Sequence, residues 1–435
     1  VVPADAAQRA IDAVWRIESP RLIAGLARMV RDVGVAEDLA QDALVAALEQ
    51  WPRSGVPDNP GAWLMATAKR RAIDGFRRAA NLERKQEELA FELGLELAMG
   101  RDDLDAALDD EIGDDLLGLI FTCCHPVLST QARIALTLRM LGGLKTDEIA
   151  RAFLMSEATV AQRIVRAKKT LAEAGLGFSV PSGDELPARL ASVLEVVYLI
   201  FNEGYAATAG DDWLRPDLCL DALRLGRILA ELAPDEPEVH GLVALMELQA
   251  SRIRARIGPG GTPVLLLDQD RALWDRLLVG RGLAALQRAQ ACAAPGGTYV
   301  VQAAIAACHA RAARAQDTDW VRIAALYAAL AQVAPSPVVE LNRAVAVGRA
   351  FGPAAGLEVV DALAAEETLK DYHLLPSVRG DLLYRLGRFA EAHADFTRAA
   401  SLTRNERERE LLLARAAGCA WGVGLARRPW ETRRR

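Results

Sequence analysis

Apolar side chains recur at three- and four-residue intervals through "VAEDLAQDALVAALEQWP", Val35 to Pro52. Leu39, Ala43, Leu44, Ala47 and Leu48 make one stripe, and Glu37, Asp38, Gln41 and Asp42 stand on the other face, so the spacing predicts an amphipathic helix. A second helical pattern, "AWLMATAKRRAIDGFRR", alternates Trp63, Leu64 and Ile73 with Lys69, Arg70, Arg71, Arg77 and Arg78. Between them, Pro52, Gly55, Pro57, Pro60 and Gly61 in "WPRSGVPDNPG" predict a loop rather than helix. From Leu144 to Leu171 the pattern predicts two short helices and a tight turn. Thr146 is placed to cap the first, with Asp147 and Glu148 at its positive end and Ile149 and Phe153 facing inward. Ser156 is placed to cap the second, whose inward face is Val160, Ile164 and Leu171. Glu157, Thr159, Gln162, Arg163, Arg166 and Lys169 then face outward. Leu154 occupies the turn, where many such motifs use Gly, which points to a different turn geometry.

The pattern divides the chain into residues 6–78, an acidic connector over 79–113, a compact helical unit over 114–175, a large helical part over 185–420 and a basic tail over 421–435. The large part repeats weakly. Pro234 and Pro335 sit in similar contexts 101 residues apart, close to three periods of about thirty-four residues, and Gly352 and Gly387 are 35 apart. The last copy, "GDLLYRLGRFAEAHADFTRAA", resembles a tetratricopeptide repeat: Gly380 in one helix, Gly387 at the turn, then Ala392, Phe396 and Ala399 in the next. "GPGGTPVLLLDQDRALWDRLL" departs from that pattern and argues against a regular superhelix there.

Composition agrees with the pattern. Half of the 435 residues are apolar, few are aromatic, and Ala and Leu dominate, which predicts an all-α protein. The net charge of −6 conceals segregation: five Lys/Arg against one Asp from Trp63 to Arg78, then three against thirteen acids from Ala79 to Asp115. Six cysteines without a regular framework fit a reducing, cytoplasmic setting. No charged-then-apolar leader is seen, and the Val1-Val2 opening suggests an altered start. The longest uncharged run, Ala289 to Ala310, is interrupted by Pro295-Gly296-Gly297, so no membrane span or membrane partner is expected.

Taken alone, the Leu144–Leu171 stretch fits either a major-groove reader or an amphipathic hairpin with a solvated basic face. The basic helix after the loop, with Trp51 and Trp63 flanking that loop, fits either a single-strand holder or a helical core with a solvated face. Adjacent Cys123 and Cys124 in "TCCHP" lack metal-ligand spacing and read as buried structure. "GPGG" at Gly258 to Gly261 lacks the Lys-Ser/Thr of a phosphate loop and reads as a turn. His240, His309, His373 and His393 are scattered without a nucleophile, so neither catalysis, a metal nor a cofactor is expected. In "FNEGY", Asn202 and Glu203 interrupt an apolar helix, either as a polar cap between helices or as a ligand contact.

In order, "AEDLAQDAL", "WP", "AWLMATAKRRAIDGFRR" and "LTLRMLGGLKTDEIARAFLMSEATVAQRIVRAKKTL" resemble regions two and four of extracytoplasmic-function (ECF) RNA polymerase sigma factors. The carboxy-terminal part, with "YLIFNEGYAAT" and "DTDWVRIAALY", is similar to the extension of a subgroup with a tetratricopeptide-like domain. The resemblance implies a promoter-specificity subunit and not an enzyme. It implies that Glu37, Asp38, Gln41 and Asp42 meet the β′ clamp of core RNA polymerase, and that region four meets the β flap. It further implies a minus-ten site of Arg53, Asn59, Trp63, Lys69, Arg70, Arg71, Arg77 and Arg78, with the loop Arg53 to Ala62 taking a flipped base. Glu157, Thr159, Gln162, Arg163 and Arg166 would meet the minus-thirty-five element. Ala161 stands where relatives often carry a basic side chain, and the acidic connector would follow the RNA exit path. A protein partner is expected for the carboxy-terminal part, which would regulate or assist. The competing reading is a dimeric helix-turn-helix activator with a helical-repeat sensor domain.

Overall fold

The computed structural model describes residues 4–80, 115–153, 155–176, 178, 180–206, 214–258, 262–293, 296–403 and 405–420. Among these the protein is all-α, with no strand and an isolated bridge between Ile257 and Pro263. It forms two compact units, Val1–Leu199 and Ile200–Arg435. The acidic connector from residue 81, the basic tail and the turn residue Leu154 lie outside the described residues.

In the first unit, α1 (Ala4–Val30), α2 (Val33–Ser54) and α3 (Pro60–Ala80) pack on one another. Asp32 caps α2 by accepting from the Val35 N–H at 2.9 Å. The buried face of α2 is mostly alanine: Ala36, Ala40, Ala43, Ala46 and Ala47, closed by Trp51. Leu39, Leu44 and Leu48, expected inside, are only half-buried, because the small residues face the neighbouring helix and the leucines fall at its margin. The loop is shorter than predicted. Helix continues through Pro52, which supplies no N–H to the ladder, as far as Ser54, and resumes at Pro60, whose missing N–H costs nothing at a first helical position.

The same unit contains α4 (115–123), α5 (Thr130–Met140), α6 (Thr146–Ala152) and α7 (Glu157–Glu173). Ser156 caps α7 as predicted, accepting from the Thr159 N–H at 3.2 Å. Thr146 does not cap α6. It is the first helical residue, and Glu148 reaches back to the Lys145 N–H at 2.8 Å. The first half of α8 (Leu186–Tyr205) satisfies carbonyls at the end of α4. Arg189 donates to the Phe121 carbonyl at 2.9 Å and Ser192 to that of Cys124 at 2.6 Å.

In the second unit α10 (Pro237–Ala250) is buried on almost every face by α9 (Pro216–Leu232), α11 (Arg276–Ala291) and α12 (Thr298–Arg311). From there each helix packs on the next: α13 (Trp320–Val333), α14 (Pro337–Ala350), α15 (Pro353–Ala362), α16 (Leu374–Arg385), α17 (Phe389–Leu402) and α18 (Glu406–Ala420). The repeat spacing marks a real contact. Ala392, Phe396 and Ala399 are buried, and a Cβ on Gly380 would come within 3.0 Å of the Phe396 ring.

Among its described residues, the stretch that breaks the repeat, 251–275, has short 3₁₀ turns at Ile253–Ala255 and Arg271–Leu273 and no α-helix. Arginine–aromatic contacts hold it. The Arg256 guanidinium lies 3.7 Å from the Tyr205 ring centre, Arg252 lies 5.7 Å from that of Trp274, and Arg271 lies 4.8 Å from it. Arg271 also donates to the His309 and Ala312 carbonyls at 2.5 and 2.6 Å, serving the end of α12. Of the expected turn at Gly258 to Gly261, residues 259–261 lie outside the described residues; the Gly258 N–H donates to the Thr262 carbonyl at 2.8 Å. In "FNEGY", Glu203 forms an ion pair with Arg215, Asn202 is exposed, and Gly204 allows the backbone of Cys219 to approach closely.

Burial, reinforced by Arg252 and Arg271, pushes the His309 imidazole down to about 3. It is therefore neutral when folded and protonates in the unfolded chain below its ordinary value of 6.5. Its stabilising contribution is complete above that value and falls as pH drops toward 3. Between pH 7 and 5 this amounts to about 2 kcal/mol. Urea midpoints at the two pH values should show that loss in the native protein and a smaller loss in His309→Gln.

Candidate polymerase and nucleic-acid interfaces

The acidic face of α2 is divided. Asp38 and Asp42 are exposed and Gln41 is half-buried. Glu37, expected beside them, is not exposed: only 4% of its surface reaches solvent. It adjoins Ala36 and Ala40 on the buried stripe, and its carboxylate meets two cations from α5 and α7. Arg139 Nε is 2.6 Å from Oε1, and Lys168 Nζ contacts Oε2. Around this clasp the exposed pairs Arg16–Glu148 at 3.1 Å and Lys145–Asp12 at 3.7 Å join α1 to the α6 end, and Arg28–Asp115 at 3.3 Å joins α1 to α4.

Along α3, Arg70 is exposed, Lys69 half-buried, and Arg71 pairs with Asp42 at 3.2 Å, so two expected contact residues of different partners meet each other here. Asn59 has a structural task as well, capping α3 by accepting from the Ala62 N–H at 3.0 Å. Arg53 is exposed at the end of α2. The two tryptophans differ. Trp51 is core, while Trp63 packs edge-on against it at 5.3 Å and keeps part of its ring accessible. The side chains of Arg77 and Arg78 lie outside the described residues.

On α7, Val160, Ile164, Ala167 and Leu171 face inward. Glu157, Thr159, Gln162 and Arg166 are exposed along one run of the helix, as is Ala161. Arg163 is half-buried and donates to Gln131 Oε1 at 3.2 Å. Pattern reading missed Arg139 and Lys168. Lys168 carried a signal, since it follows Ile164 by four residues and precedes Leu171 by three on the inward side. Arg139 carried none.

Two segments of the chain match families of known proteins. Residues 15–81 match the profile of sigma-70 region 2, and residues 119–171 match that of sigma-70, region 4. Over 172 residues the chain is 30% identical to the probable ECF RNA polymerase sigma factor SigI of Mycobacterium tuberculosis, covering 39% of this chain and 57% of that protein. The chain carries the two sigma-70 regions of an ECF sigma factor. RNA polymerase core and promoter DNA are accordingly its partners, and sigma factor families are not enzymes. Residues 189–290 of the factor match a family of unknown function, DUF6596. Over 394 residues the factor is 44% identical to the uncharacterized protein R00370 of Rhizobium meliloti, covering 89% of this chain and 91% of that protein. No solved structure matches it. Among the described residues, no helix is long and apolar enough to cross a membrane.

Region four of the factor also contains the paired cysteines. Both are buried, and Cys124 Sγ lies 3.4 Å from Thr137 Oγ1. Burial pushes both thiols up, Cys124 to about 11. Their thiolates are therefore scarce at pH 8. Iodoacetamide at that pH should label Cys292, the least buried of the six, and leave Cys123 and Cys124 unmodified until denaturant is added; mass spectrometry of the peptides reads the order.

Proposed function

We propose that the protein directs promoter-specific initiation by a two-point grip. Asp38, Gln41 and Asp42 dock on the β′ clamp of core polymerase, where their exposure complements a basic surface. Arg53, Asn59, Trp63, Lys69, Arg70, Arg71, Arg77 and Arg78 hold the melted minus-ten strand. Glu157, Thr159, Gln162, Arg163 and Arg166 read the minus-thirty-five duplex, with region four on the β flap. The observation that carries this reading is the exposed run Glu157, Thr159, Gln162 and Arg166 on a capped helix, in the same chain as an exposed acidic α2 and a basic α3. The carboxy-terminal unit, read as tetratricopeptide-like from its Gly380–Phe396 contact, regulates or assists, and the factor acts in the cytoplasm.

The clasp gives the grip a condition. The two promoter elements are named for positions about 25 base pairs apart, which is ~85 Å of duplex at about 3.4 Å per pair. The 22 residues of α2 span only ~33 Å, and α2 touches α7 through Glu37 and Lys168. Both elements cannot be held while that contact persists. Glu37 is therefore a clasp residue, and loading on polymerase separates it from Arg139 and Lys168.

Run-off transcription with purified core polymerase and a promoter library tests the reading. Core polymerase should gain promoter specificity only when the protein is added, and Gln162→Ala or Arg166→Ala should each reduce output by about tenfold. Tight binding of duplex operators by the protein alone, with no specificity conferred on polymerase, would sink it in favour of a helix-turn-helix activator. Glu37→Gln should raise output at limiting protein, whereas a fall would return Glu37 to the polymerase contact. A chain ending after Ala206, which keeps α8 whole, should show altered output; unchanged output removes the regulatory role of the carboxy-terminal unit.

A further inference from the structure

Two open cavities in the second unit, of about 630 and 660 Å³, share Leu267, Asp268, Trp320, Arg349 and Arg385, so they form one continuous trough. One wall is the irregular stretch Leu265 to Asp270; the other is built by α14, α16 and α18. Along the first wall run three consecutive leucines, and Leu265 is 41% exposed. Val378 and Leu382 add apolar surface opposite. The trough is also cationic. Arg314, Arg349, Arg385 and Arg415 line it, against Asp268, Asp270 and Asp381. Asp381 is already engaged by Arg415 and, at 3.8 Å, by Arg349. Arg385 donates to the Gly348 carbonyl at 2.9 Å and, among the described residues, pairs with no carboxylate. Most of its five N–H donors remain for a ligand.

We propose that this trough docks an extended peptide in which acidic and aliphatic side chains alternate. An extended strand directs successive side chains to opposite faces, so aliphatic groups can cover Leu265 while a carboxylate takes the planar fork of Arg385. A nucleic-acid strand fits less well. Its phosphates would meet Asp268, Asp270 and Asp381, and the leucine wall would stay exposed. The site supplies a partner class for the carboxy-terminal unit of the proposed factor, and in that sense rests on that reading.

Fluorescence anisotropy on the purified full chain, without polymerase, tests the docking site. The probe is a fluorescein-labelled peptide of alternating leucine and aspartate. Saturable binding is expected, weakened at least about tenfold when asparagine replaces aspartate or alanine replaces leucine in the probe. Arg385→Ala should weaken binding to a similar degree. So should Leu265→Glu, a change at an exposed position that leaves the core untouched. No binding, equal binding of the asparagine peptide, indifference to both variants, or preference for a labelled oligothymidylate would each overturn the proposal. Lost peptide binding with promoter specificity intact refutes the trough alone. Peptide binding without promoter specificity refutes the sigma reading alone.

Discussion

The carboxylate of Glu37, held between Arg139 and Lys168, fixes how the two halves of the amino-terminal unit meet. Removing three charged groups from water costs several kcal/mol per ion, and the arrangement is sustained because each carboxylate oxygen faces its own cation. The surrounding pairs add little. Arg16–Glu148 and Lys145–Asp12 are solvent-exposed, screened by salt and worth under about 1 kcal/mol each. The charged clasp, rather than those surface pairs, sets the strength of the contact. A seam made of ions can part at modest cost, because opening returns its charges to water. Separating an apolar seam would instead expose hydrophobic surface with nothing to offset it.

This division explains what could be read from the sequence. Helical periodicity is local, so the inward face of α7, its Ser156 cap and the burial of Ala43 and Ala47 in α2 were legible, while Ala36, Ala40 and Ala46 were not. The burial of Glu37 was not, because its cause is Arg139, 102 residues away. The length of the loop was not legible for a different reason. Proline predicts a break, yet Pro60 sits in a first turn, where a missing N–H costs nothing, and Pro52 lies so near the end of α2 that only Arg53 and Ser54 follow it in the helix. The paired tryptophans were ambiguous in sequence and separate only in three dimensions, one into the core and one to its edge.

In the second unit the same contrast recurs. The Gly380 to Ala399 spacing locates a helix–helix contact because small residues and one aromatic suffice to specify it. The 251–275 stretch has no such local grammar. Its course depends on Arg252, Arg256 and Arg271 finding Tyr205 and Trp274, and on Arg271 serving carbonyls at the end of α12. Those contacts let a chain with no more than short 3₁₀ turns among its described residues run beside ordered helices, and the unfilled width between them is the trough.

The strength of the Glu37 clasp bears directly on how the protein would engage polymerase. Opening the clasp returns its charges to water, so its cost is below the ~3–5 kcal/mol of leaving one of them buried and unpaired. If the separated form alone can span both promoter elements, each ~1.4 kcal/mol of clasp strength lowers the apparent affinity for polymerase about tenfold. Polymerase can supply that energy only through contacts made with the separated form and not with the clasped one. Asp38 and Asp42 are exposed in both, so their contacts alone cannot drive the separation. The differential must come from groups that the clasp occupies, and Lys168 on α7, once released from Glu37, is such a group.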